Sequence, residues 1–206
     1  LNKLFIPALL TALPLWGQLN ETWHAYRASH AFKTGVTVIL DQDFRHATGA
    51  LYYVHNELGI SFPWHHGMKL SINYRQVFTR SDETWTPEFR PHFNVSTTKT
   101  YTSFTSSARA RLEYRIKNNQ TAIRNRDLVI IKTNHTFTPL QLVPYMADET
   151  FYDITSQEFN QNRFYAGVMI NRFTRVKPTF YYLYQVSLKS GEWNGIHIAG
   201  IKISLK

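Results

Sequence analysis

The chain is 206 residues long, 43% hydrophobic and only 18% charged, which excludes an intrinsically disordered polymer. It has no cysteine, so a disulfide scaffold, a thiolate metal site and a cysteine nucleophile are all excluded. Lys and Arg number 23 against 14 Asp and Glu, giving a formal charge of +9; this bears on partners and solubility and is silent about fold.

Residues 1–17 open with Lys3 and continue as an apolar run from Leu4 to Trp16, broken by Thr11. This layout predicts a secretory signal peptide. The run is shorter than the roughly 20 residues of a spanning helix, and Pro7 and Pro14 would interrupt it. An ordinary apolar strand or helix is the alternative. Residues 18–206 are then expected to form one domain.

That domain alternates with a period of two, which a helix cannot produce. A first, weakly patterned segment covers 23–31, and fainter alternation follows over 36–44 and 51–62. From Met68 the apolar positions Met68, Leu70, Ile72, Tyr74 and Phe78 interleave with Lys69, Ser71, Asn73, Arg75 and Thr79. Another weak window covers 88–97. The clearest one sets Ala108, Ala110, Leu112, Tyr114 and Ile116 against Arg109, Arg111, Glu113, Arg115 and Lys117. Weaker strands are expected over 125–135 and 140–151. Phe164, Ala166, Val168 and Ile170 then share a face opposite Arg163, Tyr165 and Gly167. Two further segments, 179–186 and 196–205, complete eleven candidate strands.

The expected fold is all-β: a closed antiparallel up-and-down transmembrane β-barrel of ten to twelve strands. If both termini lie on one side the count must be even, so 23–31 is the segment expected not to span. Short connections are expected at 63–67, 134–139 and 173–177, and long ones at 79–86, 153–161 and 189–195. Alternation does not say which face is inside. A soluble barrel would bury the apolar face, whereas an outer-membrane barrel turns it to lipid around a polar interior. The export signal, the long strands and the mid-strand charges favour the second. So do the aromatics near strand ends, among them Phe62, Trp64, Trp85, Phe137, Phe159, Phe173 and Trp193.

Residues two apart on a strand face the same way, so Arg109, Arg111, Glu113 and Arg115 form one ionic stripe. Arg90, Arg124, Arg126, Glu149 and Arg163 are expected to join it in the lumen. One reading is a self-neutralising plug that holds the strands in register. The other is a basic, porin-like lumen that selects small anionic solutes through bidentate arginine contacts. An outer-membrane enzyme acting on lipid acyl chains is a third class. Its nearest candidates are Ser29 with His30, His55 with Glu57, and His197, none with a serine at same-face spacing. A soluble periplasmic barrel holding a small apolar ligand is a fourth. His65–His66 lacks an evident third metal ligand, and Asp41 and Asp43 share a face without an evident acid/base partner. No cofactor is expected. Nucleic acid is not an expected partner, because the basic residues alternate along strands.

Four motifs occur in order: Arg90-Pro91; the run Arg109, Arg111, Glu113, Arg115; Pro144-Tyr145 with Glu149; and Gln161-Asn162-Arg163. Together they resemble the barrels of domain-of-unknown-function family 2490. The resemblance implies a Gram-negative outer-membrane protein without an established activity. Its expected surroundings are outer-membrane lipid, lipopolysaccharide and the barrel-assembly machinery.

Overall fold

The computed structural model describes residues 19–205, so the expected signal segment lies outside the described residues. The described chain is eleven strands: β1 (Glu21–Ala31), β2 (Thr37–Ala47), β3 (Ala50–Pro63), β4 (Lys69–Ser81), β5 (Thr84–Thr100), β6 (Phe104–Lys117), β7 (Gln120–Thr133), β8 (Leu142–Asp153), β9 (Glu158–Ile170), β10 (Val176–Lys189) and β11 (Glu192–Leu205). Each pairs antiparallel with its chain neighbour, and the sheet closes on itself.

Closure corrects the expected even count. β1 pairs with β11 in parallel, in register from Glu21↔Ile198 to Ala28↔Leu205. A barrel needs only that its two free edges satisfy each other, and a parallel ladder pairs every edge group as an antiparallel one does, at slightly lower stability per residue. The segment over 23–31 is therefore a full strand, bonded to β2 on its other side from Glu21↔Ala47 to Ala31↔Thr37. The first and last strands consequently start from the same end, and the chain leaves β11 at the opposite one.

The lengths of the connections are the reverse of those expected. β2–β3, β4–β5, β6–β7 and β10–β11 turn at one end within two residues each. There, positive φ at Asp82, at Asn118 and Asn119, and at Ser190 and Gly191 closes the hairpins. Polar residues expected in loops, among them Ser81, Thr84 and Glu192, stay in the ladder instead. The β8–β9 connection at that end takes four residues, and connections of three to eight residues lie at the other end. The widest runs between Thr133 and Leu142, where a Phe137↔Leu142 bridge folds the loop on itself.

The polarity is inside-out relative to a soluble domain. On β6, Leu112 is 49% exposed and its neighbour Glu113 is 0% exposed. Ile72, Tyr74, Leu58, Met146, Val129 and Phe164 are likewise exposed on the outer face. Exposed aromatics mark both rims, with Phe32, Trp64, Tyr101, Phe137 and Phe173 at the loop end and Trp85, Phe159 and Trp193 at the tight-turn end. Two outward polar rows interrupt the apolar face, and each is internally bonded. Gln42 donates to Asn56 at 2.8 Å. Asn125 donates to Asp127 at 2.7 Å and Asn162 to Asp148 at 3.1 Å.

The interior is largely ionic, with one apolar cluster of Trp23, Leu183 and Ile198 beside the seam. The two-residue turn at Asn118–Asn119 gives a direct test. A β-branched residue cannot take the left-handed conformation cheaply, so Asn118→Val is expected to lower unfolding stability by about 1–2 kcal/mol. Urea titration of the folded protein reads this, and Asn119→Gly is expected to cost nothing.

Candidate functional site: the ionic lumen

Strand periodicity delivers every second side chain to the lumen, and register then decides who meets whom. Arg109, Arg111, Glu113 and Arg115 project inward from β6, Arg124 and Arg126 from β7, Arg90 from β5, Glu149 from β8 and Arg163 from β9. Seven of the nine share one connected set of ion pairs through Glu113 and Glu149, and Arg90 and Arg115 meet separately on Glu88.

Glu113 is the hub. Its Oε1 accepts from Arg126 at 2.7 Å and from Arg111 at 3.3 Å, while its Oε2 accepts from Arg124 at 2.7 Å. Glu149 accepts from Arg109 at 2.7 Å and from Arg126 at 2.9 Å, and Arg163 stands 3.6 Å away. Glu88 accepts a two-pronged contact from Arg90 at 2.8 and 2.7 Å, and a bond from Arg115 at 2.6 Å.

The network extends beyond those nine residues. Glu57 accepts from Arg75 at 2.7 Å and from Asn73 at 3.0 Å. Asp43 accepts from Arg45 at 2.9 Å. Asp41 accepts from Arg27 at 2.7 Å, faces His55 at 3.2 Å, and lies 3.8 Å from Lys202 on β11, which ties the ionic set across the seam. The two-residue spacings of Asp41 with Asp43 and of His55 with Glu57 were visible in the sequence. Their partners were not, because Arg75 lies 18 residues from Glu57 and meets it only through the β3–β4 register.

Six buried carboxylates (Asp41, Asp43, Glu57, Glu88, Glu113 and Glu149) thus serve seven buried arginines. Arg27, Arg109, Arg115 and Lys202, less deeply placed, lean on the same six. Positive charge is in clear excess, and part of it collects in one place. A cavity of about 110 Å³ is lined by Arg45, Arg75, Arg90, Arg124, Arg126 and Arg163, with Tyr53, Phe151 and Gln161 and no carboxylate. Aromatic rings support these guanidiniums. Arg45 lies between Trp23 and Tyr53, at 3.6 and 4.0 Å from their ring centres. Phe151, 1% exposed, holds Arg124, Arg126 and Arg163 around its ring at 5.1, 4.6 and 4.8 Å. These inward aromatics sit on the polar face, where alternation alone would expect a polar residue.

The enzyme candidates do not assemble. The Ser29 hydroxyl donates to the Leu205 carbonyl at 3.4 Å, and the His30 ring packs on Phe32. His55 sits inside the ionic set between Asp41 and Tyr53. His197 faces outward against Tyr182. His65 and His66 stand in a short turn, and among the described residues no group of three or more His, Cys, Asp or Glu could hold a metal.

A family model described as a protein of unknown function (DUF2490) matches residues 20–195, and the chain belongs to that family. No curated protein matches the sequence.

The hub makes a quantitative expectation. Glu113→Gln leaves Arg111 and Arg124 without a carboxylate, and Arg126 with Glu149 alone, in a site with no exposure and is expected to cost about 3–5 kcal/mol of unfolding stability. Arg115→Gln, a quarter exposed, leaves Glu88 still paired with Arg90 and is expected to cost at most about 1 kcal/mol. Denaturant titration compares the two.

Proposed function

We infer that this protein is an outer-membrane β-barrel whose lumen is closed at mid-height by a cross-strand ionic plug, rather than an open diffusion pore. The observation that carries the reading is the polarity. Large apolar side chains are exposed on the outside around a charged interior, at alternate positions of the same strands. In water that arrangement would leave a wide apolar surface exposed and bury charge at great cost, whereas in lipid it suits both faces. Strands of 11 to 17 residues are long enough to cross a bilayer at a tilt. The rim aromatics match interfacial girdles, and two-residue turns are the usual periplasmic pattern, which puts the tight-turn end inward.

Closure is supported by the centre of the lumen. Glu113 and Val77 are wholly buried on its wall, as are Leu183 and Ile198 beside the seam. Eleven strands also fall short of the sixteen or more typical of aqueous channels. The plug would act as an internal brace that locks strand register without a large hydrophobic core. The excess of arginine gives the lumen an anionic preference for whatever does enter it.

Fractionation tests the reading. The mature protein is expected in the detergent-soluble outer-membrane fraction, and release in osmotic-shock fluid without detergent would exclude it. Leu112→Arg, at mid-strand on the outer face, is expected to destabilise the folded barrel by about 2–4 kcal/mol in lipid vesicles. Planar-bilayer recording is expected to show no steady conductance from the parent protein.

A further inference from the structure

We propose that the arginine-lined chamber is a binding site for one phosphate-sized oxyanion, either free phosphate or the phosphate of a larger molecule reaching in from the tight-turn end. The proposal rests on the closed-lumen reading and gives that lumen a ligand class. Six guanidiniums border one small cavity to which no carboxylate contributes. Their carboxylates sit behind them: Asp43 beside Arg45, Glu88 beside Arg90, Glu113 beside Arg124 and Arg126. Each guanidinium has five donors in a fixed fork, and those carboxylates do not use all of them. The Nε of Arg126, a residue 6% exposed, has no hydrogen-bond partner.

The size fits. A space of about 110 Å³ holds several waters or one tetrahedral oxyanion, and is too small for an extended polyanion. The placement fits as well. Arg45, Arg90, Arg124 and Arg163 lie in the strand halves nearest the tight turns, and the ion pairs of Glu113 and Glu149 with Arg126 border the chamber. A chamber this small, ringed by ion pairs, suits retention of one anion. Phe151 and Trp23 keep the guanidinium planes apart without neutralising them. Uncompensated like charge in a poorly hydrated site is costly, and a bound oxyanion would relieve it through charge-assisted, two-pronged contacts.

Arg45 stacks on Trp23, so tryptophan emission is a built-in reporter. The experiment titrates inorganic phosphate into the full-length protein folded in zwitterionic detergent, against chloride at equal ionic strength, reading emission and heat resistance. A parallel arm uses short-chain phosphatidic acid. Saturable, phosphate-specific changes are expected in at least one arm. A response to phosphatidic acid alone assigns a headgroup, and a response to inorganic phosphate alone assigns the free ion. Two variants keep the test sound. Arg163→Gln leaves Glu149 with Arg109 and Arg126, and is expected to weaken binding about tenfold or more. Gln161→Glu places a carboxylate in the chamber, and is expected to raise heat resistance without phosphate and abolish the phosphate response. Arg109→Gln, at a residue that does not line the chamber, is expected to bind as the parent does. A response to chloride equal to that to phosphate, or no response in either arm, overturns the proposal. So does unchanged binding in folded Arg163→Gln. Because fractionation reads membrane residence separately, a membrane-embedded barrel indifferent to phosphate would sink this inference and leave the previous one standing.

Discussion

The sharing of Glu113 among Arg111, Arg124 and Arg126 is the constraint on which the rest of the barrel depends. Two strands meet in that one contact only when β6 and β7 stand in the observed register. A slip of one residue would turn Glu113 outward and Leu112 inward, exchanging every face at once. Apolar packing is forgiving about register. A buried carboxylate with three partners is not, because each misplaced partner leaves a charge unpaired. The interior ion pairs therefore do the work of specification that side-chain packing does in a soluble core. Glu149 and Glu57 repeat the device on the strands to either side.

The parallel seam follows from the same logic. β1 and β11 meet with small residues at several steps, such as Ala25, Ala199 and Gly200. The Tyr181 side chain packs against Gly200, where any side chain would collide with its ring. On the lumen side Trp23, Leu183 and Ile198 form the apolar patch that backs this join, and Lys202 reaches Asp41 across it. The seam thus combines a backbone ladder, a small dry core and one ionic tie. An odd number of strands costs little once both edges are satisfied.

Much of this was legible in the residues. The period of two located every strand, and the ionic stripe at Arg109–Arg115 identified the lumen face of β6. What escaped belongs to the relation between strands. Parity of the count cannot be read from alternation, so a real strand at Glu21–Ala31 looked dispensable. Turn lengths were inverted because Ser81, Thr84 and Glu192 carry turn-like chemistry while remaining paired. Phe151 and Trp23 look like ordinary members of an apolar set, yet they stand on the charged face and hold arginines around their rings. The partners of Glu57 and Asp41 depend on register, which a single strand does not encode.

The direct test of the account is the environment of the outer face. The chain has no cysteine, so single cysteines at Leu112, Ile72 and Val129 can carry spin labels in vesicle-reconstituted protein. Collision with lipid-soluble oxygen well above collision with a water-soluble nickel chelate is the predicted result at all three, with the reverse at a rim position such as His135. High nickel accessibility at Leu112, Ile72 and Val129 in the folded protein would contradict it.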